Sequence, residues 1–274
     1  MRPGGLTLGN AMRSVAGMPA GPSSVSRIAR AYPDRVEVRG QDLAGDLMGR
    51  LTFTEYFHLL LTGREPTEDE RYFLDLLLVS IAEHGLMPSN IAARMTLAAD
   101  PGSLHGAVAA GILGCGPVVL GTSEECARLL GSAQEKVAAG GDPAAVALEI
   151  AEAVHESGGK VPGFGHPVHR PVDPRAERIL ELADERGVSG PHVLLARRLR
   201  EAVAETWGRP LTMNVAMPIA AVMLDLGFRP DSVKAVPILA RTASLLAHLA
   251  EEREQPLGFV MAAAAEEAVG YERP

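Results

Sequence analysis

Apolar residues recur at helical spacing through most of the chain. Thr52-Phe-Thr-Glu-Tyr-Phe-His-Leu-Leu-Leu-Thr62 is a compact amphipathic helix, stopped by Gly63. Thr67-Glu-Asp-Glu70 is a capping box that opens a helix through about Glu83, and His84-Gly85 closes it. Ser89 is the expected cap of a helix carrying Ile91, Met95 and Leu97. After the Asp100-Pro-Gly turn, Leu104-His105-Gly106 begins an apolar stretch through Val119. Its Ala107, Ala109, Ala110, Gly111 and Gly114 suit close helix packing. Further helices are predicted over Glu124 to about Ala138, Asp142-Pro143 to Ser157, residues 174–186 and residues 190–206. Thr212 to Leu226, Asp231 to about Glu252 and residues 258–268 complete the set. Val36-Glu-Val-Arg39 reads either as a short strand or as an extended lead-in, and no strand pattern supports a sheet. The predicted fold class is all-α.

One stretch breaks the helical pattern, Lys160-Val-Pro-Gly-Phe-Gly-His-Pro-Val-His-Arg-Pro-Val-Asp-Pro-Arg175. It is too rich in Gly and Pro to be helix, and Gly163 and Gly165 suit positive φ or a close ligand. Asp173-Pro174 reads as an N-cap followed by proline at the first helical position. The loop therefore delivers His166, His169, Arg170 and Arg175 to a helix start, where imidazole, guanidinium and free N–H groups can hold an anion.

With 274 residues, 47% hydrophobic and 4% aromatic, the core must be built from Ala, Leu, Val, Ile and Met. A net charge of −8 argues against nucleic-acid binding, while a local arginine cluster can still attract a small anion. Cys115 and Cys126 show no metal or C-x-x-C spacing and read as buried thiols of a reducing compartment. No uninterrupted apolar run reaches the ~18 residues of a membrane span, and the first residues lack a signal-peptide core. A cytoplasmic protein that neither binds nor crosses a membrane is expected. No metal is expected either, because the histidines lack ligand spacing and no acidic or thiol cluster accompanies them. Gly163-Phe-Gly165 lacks the following x-x-G and any βαβ setting, so it is not a dinucleotide site.

Among the remaining candidates, His105 sits at the mouth of the apolar helix, and His84 suits a helix C-terminus. His58 and His248 read as packing or helix-face residues. Arg241 lies among small apolar neighbours, a poor place for a cation unless it meets a partner or a ligand.

Pro162-Gly-Phe-Gly-His-Pro-Val-His-Arg-Pro-Val-Asp-Pro-Arg175 is similar to the PG-[FY]-GH-x-V-…-DPR signature of the citrate synthase family. The resemblance continues in order. Arg39-Gly-Gln-Asp-Leu43 resembles RGYDIxDL, Leu59-Leu-Leu-Thr-Gly-Arg-Glu-Pro66 resembles LLLxGxLP, and Glu83-His-Gly-Leu-Met-Pro-Ser89 resembles DHxxNAS. Leu104-His-Gly106 resembles PLHGG, and Arg241-Thr-Ala-Ser-Leu-Leu-Ala-His248 resembles RTxGWxAH. The chain looks most like the family's short, citryl-CoA lyase-type members.

This resemblance implies a multi-helical fold with a large domain (36–117 and 209–274), a small mobile domain (118–208) and a tail or arm over 1–35, as well as a homodimer. It implies that His105 stabilises the enol of acetyl-CoA and that His166 exchanges a proton with the oxo-acid carbonyl. His84, Arg175 and Arg241 would clamp a di- or tricarboxylate, and Arg170 would lie near the CoA phosphates. Acetyl-CoA or citryl-CoA would be substrate, with no permanently bound cofactor. Three positions depart from the family. Ala216 stands where it has its catalytic aspartate, Ser244 where it usually has Gly, and Gln255-Pro256 where an Arg-Pro reaches the neighbouring subunit. Ala216 cannot transfer a proton, and Asp225, nine residues on, is too far along a helix to replace it. The readings are therefore a citryl-CoA lyase or citrate synthase-like enzyme, a family member that binds CoA or an organic acid without turnover, or an enzyme of a related acyl-CoA with an enlarged pocket.

Overall fold

The computed structural model describes residues 25–116 and 120–273, and these form two compact units that divide between Glu65 and Pro66. The first unit holds a small antiparallel sheet, β1 (Ala29–Ala31), β2 (Val36–Val38) and β3 (Gln41–Asp42), in that order. Ala29 faces Val38 and Ala31 faces Val36, while Val38 pairs with Gln41 on the other side. The sequence reading found no sheet here because strands of two or three residues are too short to show a period of two. Pro33-Asp34 turns the chain between β1 and β2, and Tyr32 N donates to Arg35 O at 2.8 Å. The part of the expected tail from 25 to 35 thus includes a paired strand, and residues 1–24 lie outside the described residues. α1 (Phe53–Thr62) follows, with a Thr52/Glu55 capping box and Gly63 at φ 86° as its C-cap. Val38, Leu47 and Leu59 form this unit's core.

The second unit is helical. α2 (Glu68–Ala82) opens on the predicted capping box, Thr67 with Glu70. α3 (Pro88–Ala99) corrects the expected Ser89 cap: Pro88 takes the first helical position, the cap position is Met87, and Ser89 is buried inside the first turn. α4 (Leu104–Gly116) packs on α3 as its small residues foretold. A Cβ on Gly111 would lie 2.6 Å from Leu245 Cδ2 and 3.0 Å from Ala93 Cβ. α5 (Thr122–Ala138), α6 (Pro143–Glu156), α7 (Pro174–Glu185) and α8 (Pro191–Thr206) match the predicted helices to within two residues. The predicted continuation of α4 through Val119 lies in part outside the described residues.

α9 (Ala216–Asp225) is the centre of this unit. Every residue from Ala216 to Leu224 is buried, as an all-round apolar helix requires, and it touches α2, α5, α7 and α8. It starts four residues later than expected, because 212–214 is extended and pairs with the loop at 163–165. Its last residue, Asp225, caps α8: the buried carboxylate accepts from Gly190 N at 2.8 Å, His192 N at 3.0 Å and Val193 N at 2.9 Å. α10 (Ala235–Glu254), preceded by a 3₁₀ turn over Pro230–Ser232, and α11 (Gly258–Ala268) complete the chain. The span Pro230–Glu254 is long and apolar enough to cross a membrane by length and composition. It is packed here as a core helix against α2, α3 and α4, with Arg241 and Glu252 buried.

The glycines of the 160–175 loop give a direct check on this packing. Gly163 has φ 79°, and a Cβ there would lie 2.8 Å from Cys126 Sγ and 2.9 Å from Met217 Cβ. Gly165 has φ 89° with open space around it. Gly163→Ala is expected to cost about 3 kcal/mol, combining strained φ with a clash, and Gly165→Ala about 1 kcal/mol from φ alone. Denaturant midpoints of the two variants check the order.

Candidate active site

The site lies wholly within the helical unit, where four segments bring their side chains together. His84 follows α2, His166 and His169 come from the loop, Arg175 lies in the first turn of α7, and Arg241 is on α10. The ring centroids of His84 and His166 are 5.3 Å apart, those of His84 and His169 5.4 Å, and those of His166 and His169 4.4 Å. His84 Nε2 meets His169 Nε2 at 3.3 Å.

The loop is held from behind by backbone pairing. Gly165 N donates to Thr212 O at 2.7 Å and Asn214 N to Gly163 O at 2.8 Å. Asn214 Nδ2 donates to Gly165 O, and Asn214 Oδ1 accepts from Ala216 N at the start of α9. The buried carboxylate of Asp173 completes the frame. It accepts from Arg175 N at 3.1 Å, Arg175 Nε at 3.0 Å, Arg175 Nη2 at 2.8 Å and Val215 N at 3.1 Å. Burial opposes ionisation of Asp173, but the hydrogen bonds and charge of Arg175 outweigh it and hold the carboxyl below its ordinary value.

His166 has a fixed tautomer. Its Nδ1 accepts from Val168 N at 3.0 Å and His169 N at 2.8 Å, so the neutral ring carries its proton on Nε2. Burial, with His169 and Arg175 adding to it and Asp173 opposing, pushes His166 below the ordinary histidine value. Burial and then the nearby Arg175 and His169 do the same to His84. Both rings are therefore neutral donors or acceptors near pH 7.

Arg241 is 3% exposed, and its Nε and Nη1 are buried without a hydrogen-bond partner. Burial, with some repulsion from Arg175, lowers its pKa against the pull of Cys115 and Glu83, yet a guanidinium stays charged. A buried cation with unpaired donors is costly unless an anion meets it.

The three imidazoles offer ring nitrogens within 4.8 Å of one another, a spacing that could suit a metal. The hydrogen bonding argues for an anion instead. With both backbone N–H groups on Nδ1, His166 has no Nε2 lone pair to give unless it becomes imidazolate, and Arg175 Nη2 lies 3.5 Å from that same Nε2.

The remaining candidates are placed differently. His105 is exposed in the first turn of α4 and lines an open apolar groove with Leu104, Val108, Ile112, Leu113 and Leu246. Among the described residues no hydrogen bond or ring contact joins it to the histidine cluster. Arg170 is exposed in the loop. Ala216 is buried at the start of α9, next to the Asn214 that holds Gly165 O. Asp225 is engaged at the far end of the same helix with the start of α8.

Several site residues were missed by sequence reading. The sequence places His169 in the anion-holding loop, while the family resemblance assigns it no individual role. His248 reads in the sequence as a packing or helix-face residue, yet its Nε2 meets Glu83 Oε2 at 3.0 Å and its Nδ1 faces Arg94 Nη2 at 2.8 Å. Glu83 Oε1 accepts from His84 N at 2.8 Å and Gly85 N at 2.6 Å, while Ser244 donates to Oε2. This fixes the backbone that carries His84. Ser244, at a position where the resembling family usually has glycine, and the helical spacing from Ser244 to His248 were the available signals.

Residues 24–258 match the family described as Citrate synthase, C-terminal domain, and the chain belongs to the citrate synthase family. A solved citryl-CoA lyase from Hydrogenobacter thermophilus is similar at TM-score 0.80 and 30% identity, covering 91% of this chain and 94% of that one. The ATP citrate lyase of Methanothrix soehngenii, solved with citrate and coenzyme A, is similar in fold at TM-score 0.73 and 19% identity, covering 98% of this chain and 45% of that one. The citrate synthase of Saccharolobus solfataricus is 26% identical over 210 residues, 74% of this chain and 54% of that protein. The chain spans about half the length of the curated relatives it matches.

The Asp173 frame makes a prediction about stability. A carboxyl whose pKa is lowered on folding contributes stability above its ordinary value and loses it as pH falls through the folded value. Asp173→Asn should therefore cost about 3 kcal/mol at neutral pH. The gap from the unmodified protein should shrink as pH drops below the ordinary aspartate value of 3.8. Urea unfolding across pH checks this, and a gap independent of pH would contradict it.

Proposed function

We propose that the protein acts on an acyl-CoA and an oxo-acid, cleaving a citryl-CoA-like thioester to acetyl-CoA and oxaloacetate or running the citrate-forming condensation. The observation that carries this reading is Arg241, a buried guanidinium whose Nε and Nη1 have no hydrogen-bond partner and whose charge acts on His84 of the three-imidazole cluster and on Arg175. Such a pocket is matched in charge and in donor number by a carboxylate-rich oxo-acid. Family membership and the likeness to a citryl-CoA lyase support the same chemistry.

In this reading Arg175, Arg241 and His84 clamp the carboxylates. His166 Nε2–H faces the oxo-acid carbonyl oxygen and stabilises the charge that builds there during condensation. A neutral donor does so without adding another charge to the site. In cleavage, the citryl hydroxyl, held at His166 Nε2–H, passes its proton to a water molecule as the carbon–carbon bond breaks, because the neutral ring with Nδ1 filled has no lone pair to take it, which corrects the expected proton exchange with His166. The bond's electron pair passes to the thioester enolate, whose oxygen His105 would hold, and the enolate carbon then takes a proton. Arg170 would meet the CoA phosphates. Residues 118–208 would be the small domain that closes over the ligand and excludes water from the enolate. The protein would work in the cytoplasm as a homodimer.

Ala216 favours a second reading, in which the protein binds CoA or an organic acid without turnover. Its buried methyl group occupies the family's aspartate position, so the proton for the enolate carbon would have to come from water. A mass-spectrometric assay of citryl-CoA cleavage and citrate formation, run beside calorimetric titration with CoA and oxaloacetate, separates the two. The enzyme reading expects turnover that Ala216→Asp raises by about 100-fold. It also expects loss of oxaloacetate binding in Arg241→Gln. Binding with no turnover in either the unmodified protein or Ala216→Asp would support the accessory reading. Unchanged oxaloacetate binding in Arg241→Gln would refute the pocket itself.

A further inference from the structure

His169 has no role in the reading above, yet it is placed among the groups that do. Its ring lies 4.4 Å from that of His166, and its Nε2 is 3.3 Å from His84 Nε2. Its backbone N–H already serves His166 by donating to Nδ1. The proton count at the contact with His84 is informative. Two nitrogens at 3.3 Å share one hydrogen, so one ring donates through Nε2 and the other accepts there. The His84–His169 pair thus spends on itself a donor that faces the pocket. The charged groups around the pair are Arg175 on α7 and Arg241 on α10, with the carboxylates of Asp173 and Glu83 occupied by other donors. His166 faces it from the loop and presents Nε2–H. All of these surroundings favour an incoming anion, and none competes with it for the two Nε2 atoms.

We infer that His169 is a second imidazole ligand of the substrate carboxylates beside His84, and that an anion opens the His84–His169 hydrogen bond: the accepting ring moves its proton from Nδ1 to Nε2, so that both Nε2 atoms carry a proton and donate to the anion. This deepens the proposed function and rests on its oxo-acid pocket. It also accounts for the spacing His166-Pro-Val-His169, which puts both rings on the same side of a tight loop. The ligand class it selects is a carboxylate with oxygen atoms enough to engage two imidazoles and two guanidinium groups together, a di- or tricarboxylate rather than a monocarboxylate.

The test uses the full chain with oxaloacetate as the probe. Calorimetric titration should show that His169→Phe weakens oxaloacetate binding at least about tenfold. His169→Gln, whose amide nitrogen can take the place of Nε2–H, should recover most of that loss, which a purely structural role would not allow. In protein labelled with ¹⁵N-histidine, addition of oxaloacetate should convert the one accepting Nε2 of the pair to an N–H nitrogen. Equal affinity in the unmodified protein and His169→Phe, or imidazole resonances unmoved by bound oxaloacetate, would overturn the inference and leave the oxo-acid pocket standing. Absence of oxaloacetate binding in the unmodified protein would overturn both. Should His169→Phe fail to fold, the ¹⁵N experiment on the unmodified protein and the affinity of His169→Gln decide the matter.

Discussion

The site depends on one buried carboxylate. Asp173 is fully enclosed; its Oδ1 accepts from the backbone N–H and Nε of Arg175, and its Oδ2 from Arg175 Nη2 and the N–H of Val215. Those bonds join the loop, the start of α7 and the start of α9, so the segment carrying His166 and His169 has a fixed seat. A charge buried this deeply is stable only when its lone pairs are filled, and here they are filled by a cation and by backbone donors. Removing the charge frees Arg175 to move and unties the end of the helix on which Ala216 sits.

What Asp173 fixes in place is an excess of donors. Arg175 has its carboxylate, but Arg241 is buried with unpaired N–H groups, and burial keeps His84 and His166 neutral between the two guanidiniums. Folding a domain around such a cluster costs stability, and an anion of matching charge offsets that cost. The same arrangement suits catalysis: donors already oriented toward one point need no reorganisation when negative charge develops there. The second layer behind His84, in which Glu83 is held by Ser244 and His248 and His248 in turn by Arg94, serves this orientation.

Much of this was legible in the sequence. The helical periods, the Thr67/Glu70 box, the Asp173-Pro174 start and the positive-φ glycines of the loop all rest on local rules, and local rules are read along the chain. Arg241 stood out because a cation among small apolar neighbours needs a reason. The small sheet escaped because its strands are shorter than the pattern that identifies strands. Ser89 misled because a good cap residue was followed as a cap, whereas Pro88 before it fixed the helix start. The start of α9 was placed early because pairing of 212–214 with the loop is a tertiary event. The contacts of His169 with His84 and of His248 with Glu83 span 85 and 165 positions, and no local rule reaches that far.

The central claim is that Arg241, Arg175 and the imidazoles form a pocket for a carboxylate-rich anion. A crystal structure of the protein with oxaloacetate tests it most directly. The account predicts a carboxylate within hydrogen-bonding distance of Arg241 Nε and Nη1, with the keto oxygen at His166 Nε2. An anion bound elsewhere, with those guanidinium nitrogens still unpaired, would contradict it.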